Sequence, residues 1–468
     1  MKPAVSWSYH PYAPPFHEIG DPYLCRIAPG RASVTLEWLG ARDGAFTVRW
    51  RRRGEADFTG ERHVCGTAVT LTDLEDGCDY ECAVFRADTG SRSRIRLFRT
   101  GEAVGCTVNY LHPDDEAYAF SGRYLCSPCL VRLPDGALLA SMDLFAGDAP
   151  QNLTLIFRSD DDGATWHWLT ELFPCFWGRM FLHEGALYML ACSTEYGDLL
   201  IGRSTDGGKT FSAPTVLLRG SGRRDTEGVH KNPQPPVIYG GRLWTTLEWG
   251  TWAKDYHAAM VGSAALGADL TDASAWLFSE PVKYDPAWPG VAKGPSAGNI
   301  EGTLAVFPDG LLYNVMRYDM TRCRPSCGLV LAYRVDTAHP EAPLCYDHAI
   351  RLPGNHSKFM IRQDPADGTY LTIISRILGP AHTSDRNLLS LMKSADCEHW
   401  TLVCDLIDRR GDDPRQVGFQ YVDFFLEGDD LLWLCRTAMN GAHNFHDANY
   451  STFHRLRDFR TLAAKAGT

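Results

Sequence analysis

Three short runs carry side chains suited to handling sugar hydroxyls. They are Glu227-Gly228-Val229-His230-Lys231-Asn232, Asn355-His356-Ser357-Lys358 and Asn440-Gly441-Ala442-His443-Asn444-Phe445-His446-Asp447. Imidazole and amide groups donate and accept hydrogen bonds, and an imidazole beside a phenol can also move a proton. His230, Asn232, His356, Lys358 and His446 are the candidate substrate-binding residues of these runs. One histidine alone is more often a structural donor. Three clusters at comparable places in a repeating chain weigh against that. A fourth run sets Glu301 and Arg317 on either side of Phe307-Pro308-Asp309-Gly310. If the two end neighbouring strands, the guanidinium can grip a ligand carboxylate through two parallel N–H groups, or hold Glu301 in a structural salt bridge. Trp177, Trp249 and Trp252 are expected in loops, to stack on sugar faces or pack on the rim.

Such groups need strands to bring them together, and the chain repeats accordingly. Six glycine turns are followed two residues later by Leu or Tyr: Gly136, Gly185, Gly241, Gly310, Gly368 and, with one extra residue, Gly428. Apolar runs flank each turn, so each predicts a β-hairpin. Their spacing, roughly 50 to 70 residues, suits a four-stranded propeller blade with its loops, and six hairpins predict six blades. A second pattern, S-x-D-x-G-x-T-aromatic, stands at Ser159-Asp160-Asp161-Asp162-Gly163-Ala164-Thr165-Trp166 and at Ser204-Thr205-Asp206-Gly207-Gly208-Lys209-Thr210-Phe211. Asp and Ser there can cap turn amides while Gly takes a positive φ. Ser394-Ala395-Asp396-Cys397-Glu398-His399-Trp400 is a degraded third copy.

Residues 1–20, rich in Pro and aromatics, read as an N-terminal arm. Residues 21–104 hold short alternating strands such as Val34-Thr35-Leu36-Glu37-Trp38, the pattern of a β-sandwich. Residues 105–468 are the propeller. The fold expected is all-β: a small sandwich followed by a six-bladed propeller.

The S-x-D-x-G-x-T turns resemble the Asp box (BNR repeat) of the sialidase-type β-propellers, over about residues 105–465. The spacing of Leu71, Leu74, Gly77 and Tyr80 resembles the tyrosine corner of fibronectin type III domains. The sialidase resemblance implies a carboxylate-binding arginine triad, a Tyr nucleophile polarised by Glu, and an Asp acid/base. Carried over residue by residue, it makes Arg317 and Arg386 substrate ligands, Tyr421 the nucleophile and Glu301 its partner. Asp148 is the acid/base, with Asp143 as the alternative. The family's first arginine position falls on Cys126, with Arg123 just upstream.

Composition narrows the classes. A net charge of −11 gives no support to nucleic acid or an anionic membrane as partner. No apolar run is long enough to span a bilayer. The start of the chain lacks a signal-peptide pattern, so a cytoplasmic location with fifteen reduced cysteines is expected. Cys126-Ser127-Pro128-Cys129 has no second pair at zinc-ligand spacing, and neither metal nor cofactor is expected. The function expected is a sialidase-like exo-glycoside hydrolase that removes a terminal acidic sugar from an oligosaccharide or glycoconjugate. The alternatives are a propeller-type uronate lyase, with His230, His356 or Tyr421 taking the proton, and a non-catalytic carbohydrate-binding protein.

Overall fold

The computed structural model describes residues 20–41 and 43–466. The arm expected over 1–20 lies almost wholly outside them. The fold is nearly all β. Among the described residues its helical parts are three 3-10 turns and one short helix, Phe459–Lys465.

The first unit is two facing antiparallel sheets. One joins Tyr23–Gly30, Ser33–Leu39 and Ala68–Leu71; the other joins Gly60–Cys65, Ala45–Arg52, Asp79–Arg86 and Arg96–Arg99. Ser33–Leu39 alternates because one face is solvated: Val34, Leu36 and Trp38 point inward onto Phe46, Val48 and Phe98. The Tyr80 hydroxyl accepts a hydrogen bond from Glu75 N at 2.9 Å. Arg96 anchors this unit to the next segment through Asp115 at 2.7 Å, both groups buried.

From Cys106 onward the chain is a β-propeller. Six antiparallel sheets of four or more strands follow one another along the chain. Strands such as Ala186–Cys192 and Leu312–Tyr318 are buried throughout, because neighbouring sheets cover both of their faces. Leu139, Met189 and Leu200, for example, fill one space between the first two sheets. The last sheet is completed from the other end of the chain. Cys106–Tyr110 pairs with Tyr450–Leu456, in register Tyr110↔Tyr450, which closes the ring and removes an exposed edge.

Each of the six glycine turns lies in a hairpin between two paired strands, and each turn glycine has a positive φ. The S-x-D-x-G-x-T turns lie instead between later strands. Asp161 accepts from Thr165 N at 2.8 Å and Ser159 Oγ at 2.8 Å, and Trp166 is buried beneath.

Candidate active site

Four sheets share a device on their first strand. At Ser127, Trp177, Glu301 and Tyr421 the pairing register slips, and each residue takes a positive φ, between 50° and 55°. A non-glycine residue in that region costs about 1–3 kcal/mol, and such bulges re-aim side chains. All four residues line one cleft of about 570 Å³, a size that suits a small ligand.

Polar groups beneath the cleft brace the bulges. A bulge turns carbonyls away from the ladder, and these need donors. Lys231 Nζ donates to Trp177 O at 2.8 Å, Asn232 Nδ2 to Gly302 O at 3.2 Å, and Lys358 Nζ to Val422 O at 3.2 Å. Asn232 and Lys358, expected to touch substrate, therefore sit under the floor and do not line the cleft. Burial pushes both ammonium groups, Lys231 and Lys358, down to about 8. Deeper still, Arg179 and Asp423 pair at 2.6 Å, tying the second and sixth sheets together across the centre.

Arg317, Glu301 and Tyr421 meet as expected. Arg317 Nη1 donates to Glu301 and to Tyr421 Oη, the latter at 3.0 Å, while Nη2 reaches His356 Nδ1 at 3.0 Å. His356 is thus a partner of Arg317 rather than a wall of the cleft. Burial works to raise the Glu301 carboxyl, but Arg317, His230 and Tyr421 together outweigh it and hold the group below the usual range. Burial, then Glu301, pushes the Tyr421 phenol up against the pull of the arginines.

Arg386 also reaches this cluster, its Nε on Asn355 Oδ1 at 3.0 Å and Nη2 on His356 O at 2.9 Å; its Nη1 has no partner among the described residues. Burial, with the like charges of Arg317 and Arg436, pushes its guanidinium down. A third guanidinium, Arg436, was not foreseen. It lies 5.0 Å over the Tyr421 ring, donates to His446 O at 2.6 Å, and leaves Nε unpartnered. Its charge bears on the Cys126 thiol, so it approaches the place where the resemblance puts the missing arginine. Arg123 does not: it is part-exposed and pairs with Glu116 at 3.3 Å. His446 lines the cleft, with Asp447 on its Nδ1 at 2.8 Å.

Asp148 is exposed on the loop after Leu138–Phe145, and only its neighbour Gly147 lines the cleft. The alternative, Asp143, is buried, accepts from Trp177 N at 2.6 Å, and is pushed up to about 7 by burial. Trp249 lies within the strand Arg242–Thr251; Trp177 and Trp252 do reach the cleft, together with Tyr196 and Glu195.

A sequence signal for the second-strand residues existed. Counting seven residues on from the turn glycine gives Asp143, Cys192, Glu248, Arg317 and Ser375, and eight on from Gly428, whose hairpin has one extra residue, gives Arg436. In the ladders each of Asp143, Cys192, Arg317 and Arg436 stands opposite the residue just before a bulge.

No family model and no curated protein matches the chain. Solved structures do. A mutant α-L-arabinofuranosidase of Fusarium graminearum with an iminosugar inhibitor is 14% identical over 75% of this chain and 97% of its own, with TM-score 0.50. A Hadza microbial sialidase is 13% identical over 94% of each chain, TM-score 0.49. A Penicillium chrysogenum α-L-arabinanase complexed with arabinobiose is 16% identical over 76% of this chain and 98% of its own, TM-score 0.49. At such identity the likeness to the arabinofuranosidase speaks for the fold alone, a β-propeller.

Proposed function

We propose that the chain is an exo-glycoside hydrolase acting on a terminal sugar that carries a carboxylate. One observation carries this reading. Three buried guanidiniums, Arg317, Arg386 and Arg436, surround Tyr421, and among the described residues only Arg317 pairs with a carboxylate. Like charges held so close are costly unless an anion joins them. A substrate carboxylate fits that need: Arg317 and Arg436 line the cleft, and one nitrogen on each of the three arginines makes no hydrogen bond among the described residues.

Tyr421 is the nucleophile in this reading. Its raised phenol is not free as phenolate, so its proton leaves during attack on the anomeric carbon. Glu301, kept ionised by Arg317, takes that proton. We read residues 21–104 as a sandwich of fibronectin type III kind that packs beside a six-bladed, Asp-box propeller at 105–468. We place the protein in the cytoplasm, acting on an oligosaccharide or glycoconjugate.

The test is a panel of aryl glycosides of acidic and neutral sugars, with products read by mass. Release of a saturated acidic sugar supports the proposal. An unsaturated uronide overturns it for elimination, and binding without turnover overturns it for a carbohydrate-binding role.

A further inference from the structure

A hydrolase of this kind needs a group that gives a proton to the departing oxygen, and the exposed Asp148 does not line the cleft. Of the lining groups, Glu195 is already engaged by Arg224 at 2.5 Å. His446 has Asp447 behind it but the Arg436 guanidinium beside it, 3.4 Å from the same ring nitrogen, so a second positive charge is opposed there.

His230 has the opposite surroundings. Its Nδ1 meets Glu248 Oε2 at 2.7 Å, and both residues are buried. Glu248 is fixed in turn, since its Oε1 accepts from Gly302 N at 3.2 Å, next to the Glu301 bulge. The two residues face each other in the ladder, His230↔Glu248. Among the described residues Nε2 of His230 makes no hydrogen bond, and the ring lines the cleft with Trp177 packed on it at 4.2 Å. A carboxylate accepting from Nδ1–H fixes the ring, and the acid form is the imidazolium, with its Nδ1 proton directed at Glu248 and its second proton on Nε2.

We propose that His230, oriented by Glu248, is the acid/base of the reaction. This rests on the hydrolase reading above. In the first step Tyr421 Oη bonds to the anomeric carbon and its proton passes to Glu301. The glycosidic C–O bond breaks, its electron pair stays on the leaving oxygen, and that oxygen takes the Nε2 proton. In the second step a water gives a proton back to Nε2 and its oxygen attacks the anomeric carbon. The Tyr421–carbon bond breaks, and Tyr421 recovers its proton from Glu301.

The experiment compares an alkyl and a 4-nitrophenyl glycoside of the same acidic sugar. Nitrophenolate leaves without protonation; an alkoxide does not. In His230→Gln the loss of kcat/KM on the alkyl glycoside exceeds the loss on the aryl one by about 100-fold, the scale of general acid catalysis. Glu248→Gln, which keeps an acceptor for Gly302 N, shows a smaller split of the same sign and guards against misfolding of the first variant. Equal losses on both substrates in both variants, or none, overturn the role of His230. If the wild-type enzyme turns over neither glycoside, nor any other acidic one, the hydrolase reading falls and this role falls with it.

Discussion

The outer turns and the inner bulges of this propeller are built from the same repeat and work in opposite ways. At the outer turns the bonds that shape the turn are close in sequence: Asp161 holds Thr165 and Ser159, and Asp206 holds Thr210 and Ser204 in the same manner. The residues recur because the hydrogen bonds recur. At the inner bulges the backbone recurs and the side chains do not. Ser127, Trp177, Glu301 and Tyr421 share a positive φ but differ in side chain: an alcohol, an indole, a carboxylate and a phenol. A repeated scaffold can thus carry a different group on each sheet, and the site is the sum of the differences.

The sharpest test of that division is Tyr421→Phe. The ring, its stacking under Arg436 and the bulge are retained while the hydroxyl is lost. Turnover should fall by at least about 1000-fold, roughly 4 kcal/mol, as expected for a missing nucleophile. Steady-state kinetics on an acidic aryl glycoside would read it. A variant with near-normal kcat would remove Tyr421 from the chemistry and leave the bulge without its purpose.

Arg317→Lys comes next. The ammonium keeps the charge beside Glu301 but cannot serve Glu301, Tyr421, His356 and a ligand carboxylate together. A loss of about 2–3 kcal/mol in transition-state stabilisation, roughly 30- to 150-fold in kcat/KM, is expected on acidic substrates. An equal loss on neutral ones would mean that Arg317 serves Glu301 and Tyr421 and not the anion.

The outer turns should answer the other way. Asp161→Ala and Asp206→Ala each remove the acceptor of turn amides, a cap-like loss of about 1–2 kcal/mol in unfolding free energy. Denaturant titration should show it, with kcat and KM unchanged. A change in kinetics without a change in stability would break the comparison.

The same contrast explains what could be read from the sequence. The outer turns are local, so an eight-residue motif revealed them. The hairpins were legible from their glycines, and Arg317 lay at a constant count from its own. Arg436 obeys that count too, but the extra residue after Gly428 hides it. The bulged residues obey no count. Ser127 precedes its turn glycine by nine residues, Trp177 by eight, Glu301 by nine and Tyr421 by seven, because hairpin lengths differ. Asn232 and Lys358 looked like ligands because they stand beside histidines in polar runs; only the structure shows the bulge carbonyls that they serve. Asp148 was placed by distance along a loop, and loop length does not say where a side chain points.

The smallest expected effect belongs to His356, an inner-ring residue whose role is to support Arg317. Arg317 donates to its Nδ1, so the imidazole must stay neutral, and burial together with that guanidinium pushes it down to about 3. An unfolded histidine titrates near about 6.5. Below that pH the unfolded chain binds a proton that the folded one refuses, so this group costs stability as pH falls. Between pH 7 and about 5.5 the loss is on the order of 1 kcal/mol. Asp143 has the opposite sign across the same window. Its folded value, about 7, lies above that of a free carboxyl, so the folded chain binds the extra proton and gains stability on acidification. The wild-type curve can therefore be nearly flat, and the informative quantity is a difference. His356→Gln should be less stable than wild type at pH 7, through its lost hydrogen bonds, and should close that gap by about 1 kcal/mol at pH 5.5. Urea titrations of both proteins at the two pH values measure this. A gap that stays constant would show that His356 takes up its proton in the folded state, which Arg317 at 3.0 Å should forbid.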